Sequence, residues 1–152
     1  MTGSGLSEID RRAIDACYEQ ALESFNEGGL PIGSALTRGN EIIAVGHNRR
    51  VQQGNPILHG EMDCLQNAGR QISYRDCTLY TSLSPCMMCA GTIVQFKIPR
   101  VVIGENRNFG GNEQFLRDHG VDVEIVDDLR CVDLMARFIA ENGALWAEDI
   151  AD

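Results

Sequence analysis

The sequence holds no apolar run approaching 18 residues, so it offers no helix that could span a membrane. Its opening segment, Met1 to Asp10, lacks both the basic start and the apolar stretch of a secretory signal, so a cytoplasmic, reducing location is expected. Basic side chains are few: 13 Lys and Arg stand against 22 Asp and Glu, a net charge of −9. A phosphate-backbone partner is gripped by a concentrated Lys/Arg surface, so no nucleic-acid partner is expected. There is no internal repeat, Pro-rich linker or low-complexity tract, and residues 1–152 read as one domain. Hydrophobic residues at 43% and charged residues at 23% exclude wholesale disorder. A domain of this size buries roughly 70% of its unfolded surface and can hold a core without staples.

Six cysteines need an explanation: Cys17, Cys64, Cys77, Cys86, Cys89 and Cys131. In a reducing compartment, metal binding or catalysis is the expected use, ahead of disulfides. Only Cys86 and Cys89 stand at a spacing with chemical meaning. The other four read as small buried hydrophobes.

Ser7, followed by Asp10, opens a helix whose apolar face carries Ile14, Cys17, Tyr18, Ala21, Leu22 and Phe25; Gly28-Gly29 ends it. Two β-type runs, 32–37 and 42–47, flank a turn at Arg38-Gly39-Asn40. A polar loop, 49–55, then leads to a helix over 59–69 and a strand over 78–82. The next helix is predicted to begin with Ser84 as N-cap and Pro85 at the first helical position, running to Lys97. A buried strand over 100–104, a helix over 112–119 and a strand over 121–126 follow. Asp127 or Asp128 caps a further helix with Cys131, Leu134, Met135, Phe138 and Ile139 on its apolar face. Gly143 breaks that helix, and a short last one holds Leu145, Trp146 and Ile150. This alternation implies an α/β fold, a three-layer α-β-α sandwich around a five-stranded mixed sheet.

The chemistry concentrates in two places. His59-Gly60-Glu61 opens one helix, and Pro85-Cys86-Met87-Met88-Cys89 opens another. Cysteines three apart share a helix face. Two soft thiolates with an imidazole select zinc over magnesium or calcium. Three protein ligands leave the fourth tetrahedral position to water, as in catalytic zinc sites. Two thiolates and a neutral His balance the charge of the ion, and helix N-termini favour thiolate over thiol. Glu61 lies two residues from His59, which in a regular helix points the side chains about 200° apart. The two converge only if His59 is a cap residue outside the helical phase. Glu61 would then act on protons as a general base.

A lone His-x-Glu carries little information, and a lone Cys-x-x-Cys fits zinc or a redox pair. Their combination, with residues 62–84 between Glu61 and Pro85, is the signature of zinc-dependent nucleobase deaminases. A structural zinc is the other reading, and it needs a fourth ligand from Cys64, Cys77, Cys131 or His47. His47 and His119 are otherwise assigned no role.

On these motifs the chain resembles the cytidine deaminase superfamily, and within it the fungal-type free-base cytosine deaminases. The resemblance spans nearly the whole sequence: Glu27 to Gly33, Gly46-His47-Asn48-Arg49, Leu79 to Cys86, Gly104 to Phe109, and the tail Trp146 to Ile150. One departure is Ala147, where the family leads one to expect an aromatic residue.

The resemblance implies a cytidine deaminase-like fold, one catalytic zinc per chain, a homodimer, and a small nucleobase as substrate. It implies metal ligands His59, Cys86 and Cys89, with Glu61 as proton carrier. Around the substrate it implies Asn48 reading the ring, Phe109 and Trp146 covering it, and Asp149 near the leaving amine or pinning the tail. Ile32, Leu83, Gly60 and Ser84 complete the expected binding set. The activity implied is hydrolytic deamination of free cytosine in pyrimidine salvage. Deamination of isocytosine, guanine or another small heterocycle is the nearest alternative, and a zinc-stabilised binding module without turnover is one of a different class.

Overall fold

The computed structural model describes residues 5–152. The first four residues of the opening segment read above therefore lie outside the described residues. Helix α1 spans Glu8–Asn26 and begins with a capping box, in which the Ser7 side chain accepts from Asp10 N–H and the Asp10 carboxylate accepts from Ser7 N–H. Strands β1 (Gly33–Arg38) and β2 (Glu41–His47) form the expected hairpin, with Gly39 at φ 58° in the turn. Residues 50–53, read from sequence as part of a polar loop, form a one-turn helix α2 (Arg50–Gln53) closed by Gly54 in the left-handed region.

Helix α3 is Gly60–Ala68, strand β3 Cys77–Thr81, helix α4 Met87–Gln95, and strand β4 Arg100–Ile103. Helix α5 (Glu113–Asp118), strand β5 (Asp122–Ile125), helix α6 (Leu129–Glu141) and helix α7 (Gly143–Asp149) complete the chain. Asp128, and not Asp127, caps α6, accepting from Arg130 and Cys131 N–H. The break before the last helix falls at Asn142, with φ −140°, and Gly143 is the first residue of α7.

One expectation is corrected. Ser84 and Pro85 do not start α4: its N-cap is Cys86, in extended conformation at φ −70° and ψ 175°, and the helix begins at Met87. The hydroxyl that sequence assigned to a helix cap instead donates to Glu113, at the start of α5. A tertiary acceptor has outcompeted the local one. At its other end α4 stops at Gln95, short of Lys97, which adopts φ 60°.

The strands form one sheet in the order β2-β1-β3-β4-β5. β1 pairs antiparallel with both β2 and β3, whereas the β3–β4 and β4–β5 pairs are parallel. Alternation along each strand separates two cores. Leu36, Leu79, Val101 and Ile103 face a cluster with Cys64 and Leu65 of α3, Ala90 and Ile93 of α4, and Leu116 of α5. Ala35, Tyr80 and Val102 face the other way, onto Ala13, Ile14 and Cys17 of α1. Helices on both faces make the expected three layers. At one end of the sheet a third cluster joins Leu30, Ile32 and Leu83 to Met135 and Phe138 of α6, with Phe109 and Trp146 packed against it. The functional side chains gather there, beyond the C-terminal end of β3 and the start of β1.

The four cysteines read as core fillers are buried: Cys17, Cys64, Cys77 and Cys131. Burial pushes up the pKa of each, to about 12 for Cys131 and well above the ordinary value for Cys17. His47 is also buried, and its ring is held between Gln20 Oε1 at 2.8 Å and Glu27 Oε1 at 2.9 Å, a structural role. His119 caps the end of α5, donating from Nδ1 to Phe115 O.

Candidate active site

Two helix starts meet at this end of the sheet. His59 is the N-cap of α3 in extended conformation, φ −66° and ψ 166°. That is the condition under which His59 and Glu61 converge, and both line the same pocket. Gly60 between them allows the close approach, because a Cβ there would lie 2.9 Å from the Ile32 carbonyl oxygen. Cys86 occupies the equivalent cap of α4, and Cys89 is three residues further on.

His59 presents Nδ1 to both sulfurs, 3.4 Å from Cys86 Sγ and 3.9 Å from Cys89 Sγ. The three donor atoms lie within 4.8 Å of one another. An ion bound tetrahedrally at about 2.3 Å from sulfur and about 2.0 Å from nitrogen sets these atoms about 3.6 Å apart. The observed distances bracket that value, so the donor set fits zinc in both chemistry and spacing. Among the described residues no fourth Cys, His, Asp or Glu joins this group. Cys64 instead donates to Ala44 O, and His47 is engaged by Gln20 and Glu27. A closed structural zinc with one of these as fourth ligand is not what the fold builds.

The electrostatics match. The hydrogen bond from Cys89, helped by His59 and opposed by burial, lowers the Cys86 thiol to about 4. Cys89 moves the opposite way because it is the donor to Cys86 and is buried. Burial pulls the His59 pKa down, but the hydrogen bond to Cys86 and the charges of Asp149 and Glu61 outweigh it, raising it to about 9. Glu61 is 3% exposed, and burial, reinforced by the neighbouring Cys86 thiolate, pushes its carboxyl up to about 7. A carboxyl poised near neutrality can both take and give a proton.

The pocket is walled by Ile32 and Leu83 and covered by Phe109 and Trp146. These two rings meet edge to face, with centroids 6.0 Å apart and planes at 87°. Asp149, on α7, enters from the tail with its side chain 3% exposed, and burial raises its pKa. It accepts from Asn48 Nδ2 at 3.2 Å and lies 3.5 Å from His59 Nε2. Asn48 is fully buried beside this contact, and its Oδ1 accepts from Arg50 N–H. Ser84 is held by two bonds, its N–H donating to Glu105 O and its hydroxyl to Glu113. The fold thus brings the expected site residues to one place.

Residues 7–105 match the family model for the cytidine and deoxycytidylate deaminase zinc-binding region. The chain belongs to that family. Within it, a cytosine deaminase of Candida albicans is 47% identical over 146 residues, covering 94% of this chain and 97% of that protein. A tRNA-specific adenosine deaminase of Streptococcus pyogenes is 34% identical over 143 residues, 85% of this chain and 89% of the other. Solved deaminase structures share the fold. A guanine deaminase from Nitrosomonas europaea superposes at a TM-score of 0.68 with 19% identity, over 88% of this chain and 85% of its own. A tRNA:A34 deaminase superposes at 0.68 with 23% identity, over 76% and 97%.

Sequence reasoning missed several residues that shape this family's pocket here. Glu113 carries no motif and Glu105 had no role assigned within its segment, and Ser84, which both fix, is distant from each in sequence. Glu105 is fully buried and also accepts from Arg107 N–H, Asn108 N–H and the Asn108 amide, bracing the loop that carries Phe109. Ile150 lines the pocket, a placement that its apolar character alone did not reveal.

Proposed function

We propose that the protein deaminates free cytosine hydrolytically, giving uracil and ammonia in cytoplasmic pyrimidine salvage, with residues 1–152 acting as one domain. The observation that carries this reading is the buried Glu61 carboxylate in one small pocket with His59 and Cys86, covered by Phe109 and Trp146. Similarity to the Candida albicans cytosine deaminase supports the choice of base. The net charge of −9 disfavours a tRNA substrate.

His59 Nδ1 and the Cys86 and Cys89 sulfurs would hold the zinc. Zinc held there would supply Lewis-acid activation of an attacking water. Glu61 takes a proton from that water and passes it to ring nitrogen N3, which makes C4 electrophilic. After the water oxygen bonds C4, Glu61 takes the proton left on that oxygen and delivers it to the exocyclic amine, so that C4=O forms as the C4–N bond breaks and ammonia leaves. Asn48 keeps one amide N–H and one lone pair beyond its bonds to Asp149 and Arg50, and these suit the adjoining carbonyl and ring nitrogen of a pyrimidine. Asp149 faces the amine. Ile32, Leu83, Phe109 and Trp146 enclose the ring and exclude water, and Ser84 lines the same pocket, while Gly60, between His59 and Glu61, would offer a main-chain group.

Two chains are proposed to pair. Ile57, Leu58, Met62, Leu65 and Phe96 line an apolar groove near α3 and α4, and Ile57 and Phe96 remain 56% and 41% exposed. Apolar surface of this kind is covered in stable assemblies. Sedimentation equilibrium at micromolar concentration should give twice the mass of one chain, and a monomer would remove this part of the reading.

The decisive experiment measures ammonia release by the zinc-loaded enzyme from cytosine, cytidine, isocytosine, guanine and single-stranded DNA. Cytosine should be the best substrate. Comparable rates on cytidine would overturn the free-base assignment, and faster release from guanine or isocytosine would reassign the ring.

A further inference from the structure

Asp63 lies on α3, four residues beyond His59, and is 1% exposed. Its two carboxylate oxygens are divided between the residues on either side of Asn48. Oδ2 accepts from His47 N–H at 3.0 Å, and Oδ1 accepts from Arg49 Nε at 3.0 Å. The Asp63 N–H, in turn, donates to His59 O at 2.9 Å. Only a glycine at position 46 lets α3 come this close to β2, because a Cβ there would meet Cys64 N at 2.4 Å and Asp63 Oδ2 at 2.8 Å. One buried carboxylate therefore joins the helix that carries His59 and Glu61 to the strand end that carries Asn48.

We propose that Asp63 is a positioning residue for the deamination, fixing the Asn48 amide relative to Glu61 by clamping His47 and Arg49. This rests on the proposed role of Asn48 as the group that reads the ring. Asn48 is anchored by its own backbone, its N–H donating to Ile32 O and its carbonyl accepting from Ser24 Oγ. Those bonds fix the position of the strand end. The Asp63 clamp sets its twist on both sides of Asn48, and so the direction of the amide. The ring bound by Asn48 must present C4 and N3 to Glu61, and a small error in that direction is felt in the chemical step. The pair is charge-assisted, with the Asp63 carboxylate buried and the Arg49 side chain 27% exposed, and this holds the clamp in one geometry.

The test is a double-mutant cycle on the zinc-loaded enzyme, with zinc content and melting temperature recorded for every variant. Asp63→Asn keeps an acceptor for His47 N–H and loses the charge that orders Arg49. Arg49→Met removes the other arm and leaves the buried helix residue untouched, which keeps the test open should Asp63→Asn fold poorly. Each should retain zinc and lower kcat/KM for cytosine by about ten- to a hundredfold, a range that small misplacements reach. In an Asn48→Ala background, neither should lower it further. Full additivity alongside a costly Asn48→Ala would overturn the clamp and leave the reading of Asn48 standing. If Asn48→Ala by itself left kcat/KM unchanged, the reading of Asn48 would be what fails, and the clamp would fall with it. Unchanged kcat/KM in both Asp63→Asn and Arg49→Met would also overturn the inference.

Discussion

The Asp149 carboxylate lies 3.5 Å from His59 Nε2, on the opposite side of the imidazole from the two cysteine sulfurs. The C-terminal helix thus touches a ligand residue directly, and it is tied down further by Arg50 Nε donating to Glu148 at 2.8 Å and by Trp146 against Phe109. Leu145 and Trp146 also pack against the cluster holding Met135 and Phe138, while Trp146, Asp149 and Ile150 line the pocket, so the tail is expected to act as its cover. Removing residues 145–152 should leave zinc bound and the remaining chain folded while raising KM for cytosine at least about tenfold, because the ring loses its lid and water enters. Steady-state kinetics beside zinc content check this. Normal KM and kcat in the truncated chain would make the tail merely structural.

Ala147 sits between Trp146 and Glu148 on this helix and is partly buried. Ala147→Phe is expected to hold the lid more firmly and lower kcat a few-fold with little change in KM, the pattern of slowed product release. A burst of uracil in the first turnover would identify the step.

Glu61→Gln should keep both zinc and fold, since the carboxylate lies outside the His59–Cys86–Cys89 donor group. Turnover should fall by about 10²–10⁴-fold, the range for one proton-transferring group. Loss of zinc, or near-normal turnover, would remove its assigned role.

Cys86→Ala and Cys89→Ala should behave differently from Glu61→Gln. Each deletes a thiolate donor, so zinc content should drop to near zero and thermal stability should fall with it, because metal affinity is coupled to folding. Mass spectrometry under native conditions reads the ion directly. Full occupancy in either variant would contradict the ligand set.

A pH prediction comes from the far side of the sheet. Asp10 is 3% exposed and accepts from Arg100 at 2.8 Å and from the Tyr80 hydroxyl at 2.5 Å. Burial acts to raise its pKa, but the hydrogen bonds from Arg100 and Tyr80 prevail and hold it well below the usual carboxylate range. A depressed native pKa gives stability that is fully present above about pH 4 and is lost as pH falls toward the lowered value. Asp10→Asn should therefore cost about 3 kcal/mol at pH 7, as breaking a buried pair does. Between pH 5 and pH 2 the wild type should lose more stability than the variant. Denaturant unfolding of both chains across that range measures the difference, and parallel curves would contradict the assignment.

How much of this was legible in the chain differs from residue to residue. The Ser7–Asp10 cap, the Gly39 turn and the apolar phase of Ile14, Cys17 and Ala21 are local matters, decided by neighbours within a few residues, and the sequence alone settles them. The residue types and spacing of the His59, Cys86 and Cys89 donor group were readable for another reason: zinc chemistry restricts both. Ser84 was misread because its hydroxyl had two acceptable fates, a local cap or a distant carboxylate, and only the packing of α5 against the metal loop decided for Glu113. The extended cap at His59 was a condition that sequence could state and not fulfil. It depends on Gly60 meeting the Ile32 carbonyl, a contact between segments far apart in the chain. Asp63 and Glu105 likewise look like ordinary surface carboxylates in sequence, and only the family resemblance pointed to Asp149. Their burial, and with it the shape of the pocket, follows from which strand ends and helix starts the sheet order brings together, and side-chain type alone carries no record of that order.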